Sequence, residues 1–227
     1  MDSECRSADA ERLATTVLET IGPPGSWRSA PSGYPDSLAL CVLDAIWSIG
    51  VRYSAVENVV RRYRQARRAE GGDADRDTAS DLLRFIDLLG GADEFALRVG
   101  NRQRVSTHAG AVRKADAVRR AAQALHETGA ETVSDLRAVA AGPNAARLKD
   151  VWLALPGQSS GLSWHYLLML AGLPGVKPDR MVCRFVARAL ERERVPPAEA
   201  ACLVKRAAVL LDVSPTALDH EIWRHER

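Results

Sequence analysis

The sequence lacks the features that mark a metal, iron–sulfur or membrane protein. Its four cysteines are far apart and form no CxxC pair, so their spacing favours neither a zinc site nor an iron–sulfur cluster. No apolar run reaches the ~18 residues that a membrane helix needs. We therefore expect no metal, no membrane partner, and free thiols used as small core residues. These thiols are Cys5, Cys41, Cys183 and Cys202.

We also expect no secretory leader, and the chain lacks a strong charge imbalance. Residues 1–4 are polar and acidic, with no apolar run behind them, so we expect a reducing, cytoplasmic location. The formal net charge is only +2, which excludes a global electrostatic field that would attract nucleic acid. Any DNA-binding surface therefore has to come from local clusters of basic residues.

Two such clusters follow helical spacing. One contains Arg61, Arg62, Arg64, Arg67 and Arg68, and the other contains Arg180, Arg184 and Arg188 at i, i+4 and i+8. A basic run on a helix is more often a solvated face than a contact surface. Both interpretations stay open for each cluster, because the spacing alone does not show whether the guanidinium groups meet phosphates.

Apolar residues recur at helical spacing along almost the whole chain, and no segment alternates as a half-buried strand does. Proline at a first helical turn marks two late helices, one beginning at Pro196-Pro197 and the other at Ser214-Pro215. Roughly ten helices joined by short loops predict an all-α protein.

The stretch from Leu155 to Asp179 carries the most specific pattern. Leu155-Pro156-Gly157 ends one helix, residues 162–171 form an apolar helix, and a Gly/Pro-rich loop leads to Asp179. This layout resembles the helix-hairpin-helix DNA glycosylases, the endonuclease III-like superfamily of base-excision repair. Residues 111–118 are similar to that family's N-x-K-A-x-x-I helix, and residues 43–59 to its early helix-turn-helix. The likeness covers about residues 36–190.

The resemblance implies a two-lobed helical fold with a cleft between the lobes and no iron–sulfur cluster. Residues 36–172 would form the central lobe, which ends in the helix-hairpin-helix. Both termini, residues 1–35 and 173–227, would form the second lobe. The expected partner is double-stranded DNA with a modified base, bound by a monomer that associates with the nucleoid in the cytoplasm.

The resemblance also implies the chemistry. Asp179 would be the catalytic carboxylate that stabilises the positive charge of the sugar and activates water during cleavage of an N-glycosidic bond. The alternative role for Asp179 is purely structural. An aspartate directly before an apolar helix is a good N-cap, where the helix dipole favours its charged form.

The remaining site residues follow from the same resemblance. A hairpin holds DNA through backbone N–H groups, and a target base is extruded and stacked in a pocket. The expected DNA-backbone contacts are Gly157, Gln158, Ser159, Ser160, Gly161, Lys177, Arg180 and Arg184. The expected base-pocket or intercalating residues are Trp47, Gly50, Arg52, Tyr53, Trp164 and His165, with core packing as the alternative for each aromatic.

Two departures from the family pattern narrow the expected function. Ser159 replaces the second hairpin glycine, and an L-residue is less comfortable in a left-handed backbone, so we expect an irregular hairpin or a weaker phosphate grip. Gly161 stands where bifunctional members carry a lysine, so the amine that forms a Schiff base is missing. The sequence thus predicts a monofunctional glycosylase, with an alkylated purine as one suitable substrate.

The alternative is a non-catalytic helix-hairpin-helix module that binds a DNA structure or another protein. No cofactor is expected in either case, apart from a monovalent cation that the family's hairpin can hold. His220 and His225 are five residues apart, which misses the i, i+4 spacing of a helical zinc site.

Overall fold

A computed structural model describes residues 6–227. Within them the chain forms twelve α-helices and one short 3₁₀ turn at Pro24–Ser26, with no β-strand. The prediction of an all-α fold is therefore confirmed. The helices are α1 Ser7–Thr20, α2 Leu38–Trp47, α3 Tyr53–Ala69, α4 Ala79–Leu88, α5 Ala92–Arg98, α6 Lys114–Glu127, α7 Val133–Ala141, α8 Ala145–Leu153, α9 Leu162–Leu170, α10 Arg180–Ala189, α11 Pro197–Leu210 and α12 Pro215–Glu226.

Side-chain caps fix where several helices begin. Thr78 and Thr132 each accept a hydrogen bond from the third helical N–H, and the aspartate at that position reaches back to the threonine N–H. This reciprocal capping box satisfies two backbone donors that would otherwise lack partners. Ser214 caps α12 through the N–H of Ala217, with Pro215 at the first turn, as the Ser-Pro signal predicts.

The chain divides into two compact units. Ser32–Leu173 forms the central unit, and Met1–Pro31 together with Pro174–Arg227 forms the terminal unit. Helix α2 lies in the core of the central unit, and all ten of its residues are buried. An aromatic group packs edge to face in this core, with ring centroids about 6 Å apart. It consists of Trp47, Tyr63, Phe85 and Phe95.

The terminal unit has a separate core, built from α1, α10, α11 and α12. Helix α10 contributes Val182, Phe185 and Val186, which recur on one face at helical spacing. Leu13 and Val17 of α1 belong to the same core. The hydrophobic effect of burying these faces explains why the two ends of the chain associate in one unit.

The arginines of the predicted basic clusters are largely bound within the fold. Arg67 forms a bidentate ion pair with the buried Asp77, and Arg62 donates to the carbonyl oxygens of Val99 and Gly100. In the terminal unit, Glu226 pairs with both Arg184 and Arg188. These guanidinium groups stabilise the fold, so position in a basic cluster does not by itself make an arginine available to DNA.

The cysteines differ from the sequence-based expectation. Cys202 is disulfide-bonded, so the prediction of a free thiol is wrong at this position, whereas Cys41 and Cys183 are free. Cys5 and the polar segment at residues 1–4 lie outside the described residues. Among residues 6–227, no helix is long and apolar enough to cross a membrane.

Candidate nucleic-acid interface and candidate catalytic carboxylate

The hairpin turn, residues 154–161, joins α8 to α9 in the central unit. Gly157 and Gly161 adopt left-handed backbone conformations, with φ values of 77° and 75°. Both are positions at which a residue with a Cβ would be strained. Ser159 has no positive φ, so the expected strain at this serine is absent. The replacement of the second family glycine is tolerated because the left-handed positions are the two that remain glycine.

Three backbone N–H groups of the hairpin turn have no acceptor within residues 6–227. Gln158 donates to the carbonyl of Leu155, and Gly161 donates to that of Gln158. The N–H groups of Gly157, Ser159 and Ser160 donate to no atom in the described part of the chain, and all three residues are exposed. Free N–H groups in front of a helix N-terminus form a surface that favours an anion.

Gln158 itself faces inward. It is fully buried, its side-chain nitrogen donates to the carbonyl of Pro156 at 2.9 Å, and its Oε1 has no hydrogen-bond partner among the described residues. A side chain in this position does not reach a phosphate. The Gln158 side chain therefore supports the turn from inside, and the predicted contact of this residue with the DNA backbone stays a prediction about its main chain.

The hairpin turn packs against the loop between α5 and α6. A Cβ built on Gly157 would lie 2.7 Å from the Cβ of Val105, a separation at which carbon atoms clash. Glycine at 157 is thus required twice, once for its backbone conformation and once for this close approach. The contact holds the exposed N–H groups of the turn beside the α5–α6 loop.

Asp179 lies in the terminal unit and is the N-cap of α10. Its Oδ1 accepts hydrogen bonds from the N–H groups of Met181 at 2.8 Å and Val182 at 3.1 Å. Its Oδ2 accepts none from the described residues, and the residue is half-buried. The capping role is therefore shown. One oxygen fixes the carboxylate at the positive end of the helix, and the other stays available.

A second carboxyl group, Asp219 of α12, lies close enough to Asp179 for the two charges to interact. Asp219 is only 6% exposed, and its Oδ1 accepts a hydrogen bond from the N–H of Lys177 at 2.9 Å. Burial, together with the nearby Asp179 carboxylate, raises the pKa of Asp219 to about 7, against the lowering effects of the Lys177 N–H and ammonium group. Asp219 therefore retains a proton close to neutral pH.

Two side chains of α12 form hydrogen bonds with the loop that leads to Asp179. In addition to the Asp219–Lys177 bond, the hydroxyl of Thr216 accepts from the N–H of Gly175 at 3.0 Å and lies 3.3 Å from its carbonyl oxygen. Asp219 and Thr216 are three residues apart and so share a helix face. Sequence inspection missed both residues, because nothing near position 219 indicates a partner at position 177.

The predicted basic contacts after the loop differ in availability. Arg180 is exposed at the start of α10, and no ion pair involves it among the described residues. Arg184 instead donates to Glu226, both to its side chain at 2.6 Å and to its carbonyl oxygen at 3.0 Å. The exposed Arg180 is therefore better placed to meet a phosphate than Arg184.

Two of the predicted base-pocket residues are core residues. Trp47 is completely buried beside Phe95, and Trp164 is buried beside Trp152, with ring centroids 6.2 Å apart. Neither indole ring offers a face on which a base could stack in this conformation, so both act as packing. Gly50, Arg52 and His165 are not fully buried. Gly50 has a φ of 66°, and Arg52 directly precedes α3 as its N-cap residue.

Tyr53 belongs to a polar group inside the central unit, which we call the tyrosine cluster. Asp44 of α2 accepts hydrogen bonds on Oδ2 from Tyr34 at 3.0 Å and Tyr53 at 3.1 Å, and Tyr53 is also hydrogen-bonded to Tyr166 of α9. Burial and the Asp44 charge raise the pKa of all three phenols, so they stay protonated and donate. The sequence gives one indication of this cluster. Asp44 is the single charged residue in the apolar helix α2, and a buried charge needs hydrogen-bond partners.

Lys114 supports the turn that follows α2. Its side chain is buried, and its Nζ donates to the carbonyl oxygens of Trp47 at 2.9 Å and Ile49 at 2.6 Å. Burial lowers the pKa of Lys114 to about 8. This lysine thus satisfies carbonyl groups at the end of the helix and fixes the backbone just before Gly50 and Arg52.

Two shallow depressions, of about 390 and 570 Å³, lie on the surface of the described residues. One is lined by residues of α1 and the end of α10, and the other by residues around α5 and the start of α6. Neither includes a residue of the tyrosine cluster or of the predicted base pocket. No cluster of three or more His, Cys, Asp or Glu side chains in residues 6–227 has the arrangement of a metal site.

These features define an all-α protein with two helical units, an exposed hairpin turn in one and a carboxyl pair in the other. The chain belongs to the family described as a domain of unknown function (DUF8548), whose pattern it matches over residues 11–227. No curated protein and no solved structure matches the chain.

Proposed function

We propose that this protein is a monofunctional DNA glycosylase, which hydrolyses the N-glycosidic bond of a damaged or modified base. The observation that carries the proposal is the geometry of Asp179. Its Oδ1 is fixed by two N–H groups of α10, while its Oδ2 accepts no hydrogen bond from the described residues. The spacing of this carboxylate from the hairpin turn is the one that resembles the glycosylases.

The reaction suits a carboxylate that is held in this way. When the bond between C1′ of the sugar and the base nitrogen breaks, its electron pair leaves with the base and positive charge develops on the sugar. Oδ2 of Asp179 would stabilise that charge and orient a water molecule. The water oxygen then bonds to C1′ and the water passes a proton to Oδ2 of Asp179. An alkylated purine, which is already cationic, leaves as a neutral base without further protonation.

The hairpin turn would hold the DNA backbone. The free N–H groups of Gly157, Ser159 and Ser160 are three donors of the kind that phosphate oxygens accept. Contacts of this type position a duplex without reading its sequence, which suits an enzyme that has to inspect many base pairs.

The proposal includes the absence of lyase activity. Gly161 stands at the position of the family's lysine. It is the N-cap residue of α9 and has a left-handed backbone conformation, which glycine adopts more readily than lysine. Lys114 is no substitute in this conformation, because its amine is buried and donates to two carbonyl groups. Strand cleavage through a Schiff base would need an accessible, unprotonated amine.

One observation favours the second candidate function, a module that binds DNA without cleaving it. Trp47 and Trp164 of the predicted base pocket are packed in the core, and neither of the two surface depressions contains a predicted pocket residue. A hairpin turn and an Asp179 that only caps α10 would suffice for such a module. Base release is the property that separates the two functions.

The test is a panel of DNA duplexes that each carry one modified base, incubated with the full chain and scored for abasic sites by alkaline cleavage. We expect release of at least one alkylated purine by the wild type and a loss of about two or more orders of magnitude in Asp179→Asn, as is typical for removal of a catalytic charged group. Strand cleavage without alkali would contradict the absence of lyase activity.

Asp212→Asn is the matched control, since Asp212 is exposed in the same unit and has a φ of 54° that asparagine tolerates. Base release that survives in Asp179→Asn would remove the catalytic role from Asp179. Salt-sensitive duplex binding without release from any substrate would establish the binding module instead.

A further inference from the structure

One short segment of the central unit combines several basic residues with a complete lack of acidic ones. Residues 95–115, which we call the basic segment, contain five Arg or Lys residues and one His but no Asp or Glu. The rest of the chain therefore holds 26 of the 31 basic residues and all 29 acidic residues, a small negative excess. Segregation of this kind creates a local positive potential that the overall charge conceals.

The arginines in the basic segment differ from those of α3 and α10 in having few partners. Arg98 and Arg102 are exposed, and neither makes an ion pair or side-chain hydrogen bond with the described residues. Arg104 is exposed and donates to the carbonyl of Ala111, which leaves its charge uncompensated. Among residues 6–227, Arg113 is the one arginine of the segment that pairs with an acid, Asp93, at 2.5 Å.

Between the end of α5 and the start of α6, the segment is a loop in which the chain turns back on itself. Val105 N–H donates to the carbonyl of Val112 at 3.1 Å, and Lys114 N–H donates to that of Gln103 at 2.8 Å. These bonds leave residues 106–110 at the tip, all of them exposed. The tip carries His108 and two hydroxyl groups, so the loop presents hydrogen-bond donors as well as charge.

The basic segment is continuous with the hairpin turn. Val105, at the base of the tip, packs against the Cα of Gly157, where no room remains for a Cβ. Ser159 and Ser160 next to it are exposed, and their N–H groups have no partner in the described part of the chain. Two anion-favouring features, one made of backbone donors and one of guanidinium groups, thus meet within one unit.

We propose that the basic segment is a second DNA-backbone contact, in which Arg98, Arg102 and Arg104 bind phosphates next to those held by the hairpin turn. The identity of the partner as a DNA duplex rests on the proposed function. The contact itself rests on the unpaired charge and on the Val105–Gly157 packing. Its energy is electrostatic and independent of sequence, because the segment offers donors to phosphates.

The test is the salt dependence of binding of the full chain to an undamaged duplex, followed by fluorescence anisotropy between about 0.05 and about 0.2 M salt. We expect Arg98→Gln combined with Arg102→Gln to weaken binding at least about tenfold and to reduce the slope of log K against log salt by about 2, since each lost phosphate contact removes about 0.9. Both arginines are exposed and unpartnered, so the thermal unfolding temperature should not change.

Two further variants make the result specific. Arg194→Gln combined with Lys205→Gln removes the same charge from exposed positions of the terminal unit and should leave the slope near that of the wild type. Arg98→Lys combined with Arg102→Lys keeps the charge and should retain most of the slope.

An equal loss in the terminal-unit variant would show a general charge effect and overturn the contact, as would a wild type that does not bind the duplex. Preferential competition by an acidic polypeptide at equal charge would also overturn it, in favour of a protein partner. Base release distinguishes the two proposals: binding that depends on the basic segment without base release from any substrate rejects the glycosylase and leaves the contact standing.

Discussion

Asp77 of the central unit and Asp219 of the terminal unit are both buried, but they are held in opposite ways. Asp77 in the central unit accepts hydrogen bonds from Nε and a terminal nitrogen of Arg67, at 2.6 and 2.9 Å, and from the hydroxyl of Tyr63 at 2.5 Å. Asp219 in the terminal unit accepts one backbone N–H, from Lys177, and a second carboxylate lies nearby. Both side chains are almost completely buried.

The difference shows which buried aspartate stabilises the fold as a charged group and which one changes its protonation state near neutral pH. When a buried carboxylate is paired and hydrogen-bonded on both oxygens, these interactions offset its desolvation cost and hold its neighbours in place. A carboxyl group with one neutral donor, beside another acid, prefers its protonated form. Asp77 thus joins α3 to the segment before α4, whereas Asp219 gives the Asp179 loop a group that titrates near neutral pH.

The largest effect is expected on removal of the cation from the compensated site. Arg67→Ala leaves Asp77 buried without its ion pair, and breaking a buried pair from one side costs about 3–5 kcal/mol. Urea unfolding would measure the loss in the free energy of unfolding. Arg68→Ala, at the exposed next position, should change it by less than about 0.5 kcal/mol. Equal effects of the two substitutions would show that the Arg67–Asp77 pair does not stabilise the fold, and the contrast between Asp77 and Asp219 would fail.

The next effect is a pH dependence at Asp219. Its pKa rises from 3.8 in the unfolded chain to about 7 in the fold, so the folded state binds the proton more tightly and this group's contribution to stability is lost as the pH rises between these values. A shift of about three units bounds that loss at about 4 kcal/mol. Asp219→Asn keeps an acceptor for the Lys177 N–H without the charge.

We therefore expect Asp219→Asn to be more stable than the wild type, by a larger margin at pH 8 than at pH 5, as measured by thermal unfolding across this range. Asp212→Asn, at an exposed position, should follow the wild type at every pH. A variant less stable than the wild type at pH 8 would show that the Lys177 ammonium group compensates the Asp219 charge, and the two buried aspartates would then be alike.

Local signals in the sequence predict the fold well because they act over a few residues. Pro196-Pro197 and Ser214-Pro215 correctly mark the starts of α11 and α12, and the apolar stripe after Asp179 correctly marks α10. In each case the cause is a local backbone preference or a one-sided helix face, both of which are written in adjacent residues.

The candidate site is less predictable because its contacts join residues that are distant in sequence. Gln158 has the polarity of a phosphate ligand, yet it is buried. Trp47 has the chemistry of a stacking platform, yet it is packed beside Phe95. Arg184 follows the spacing of a phosphate-binding stripe, yet Glu226 pairs with it. Whether a side chain is free depends on such tertiary partners, and residue type does not reveal them.

The smallest expected effect separates the two roles of Asp179. Asp179→Ala removes the acceptor for the N–H groups of Met181 and Val182, and loss of such a cap costs about 1 kcal/mol, whereas asparagine caps about as well as aspartate. Both substitutions remove a negative charge that raises the pKa of Asp219. Urea unfolding from pH 5 to pH 8 should therefore show a deficit of Asp179→Ala relative to Asp179→Asn, and a titration of Asp219 displaced to lower pH in both.

An Asp179→Asn protein as unstable as Asp179→Ala would mean that the cap requires a charge, and any loss of base release could then reflect a displaced α10. An unchanged titration of Asp219 in both variants would show that burial alone holds its proton, and that the two carboxyl groups act independently. A stable Asp179→Asn in which the titration of Asp219 is displaced would be a folded protein that differs in one charge. Loss of base release in that protein would then be due to the carboxylate itself.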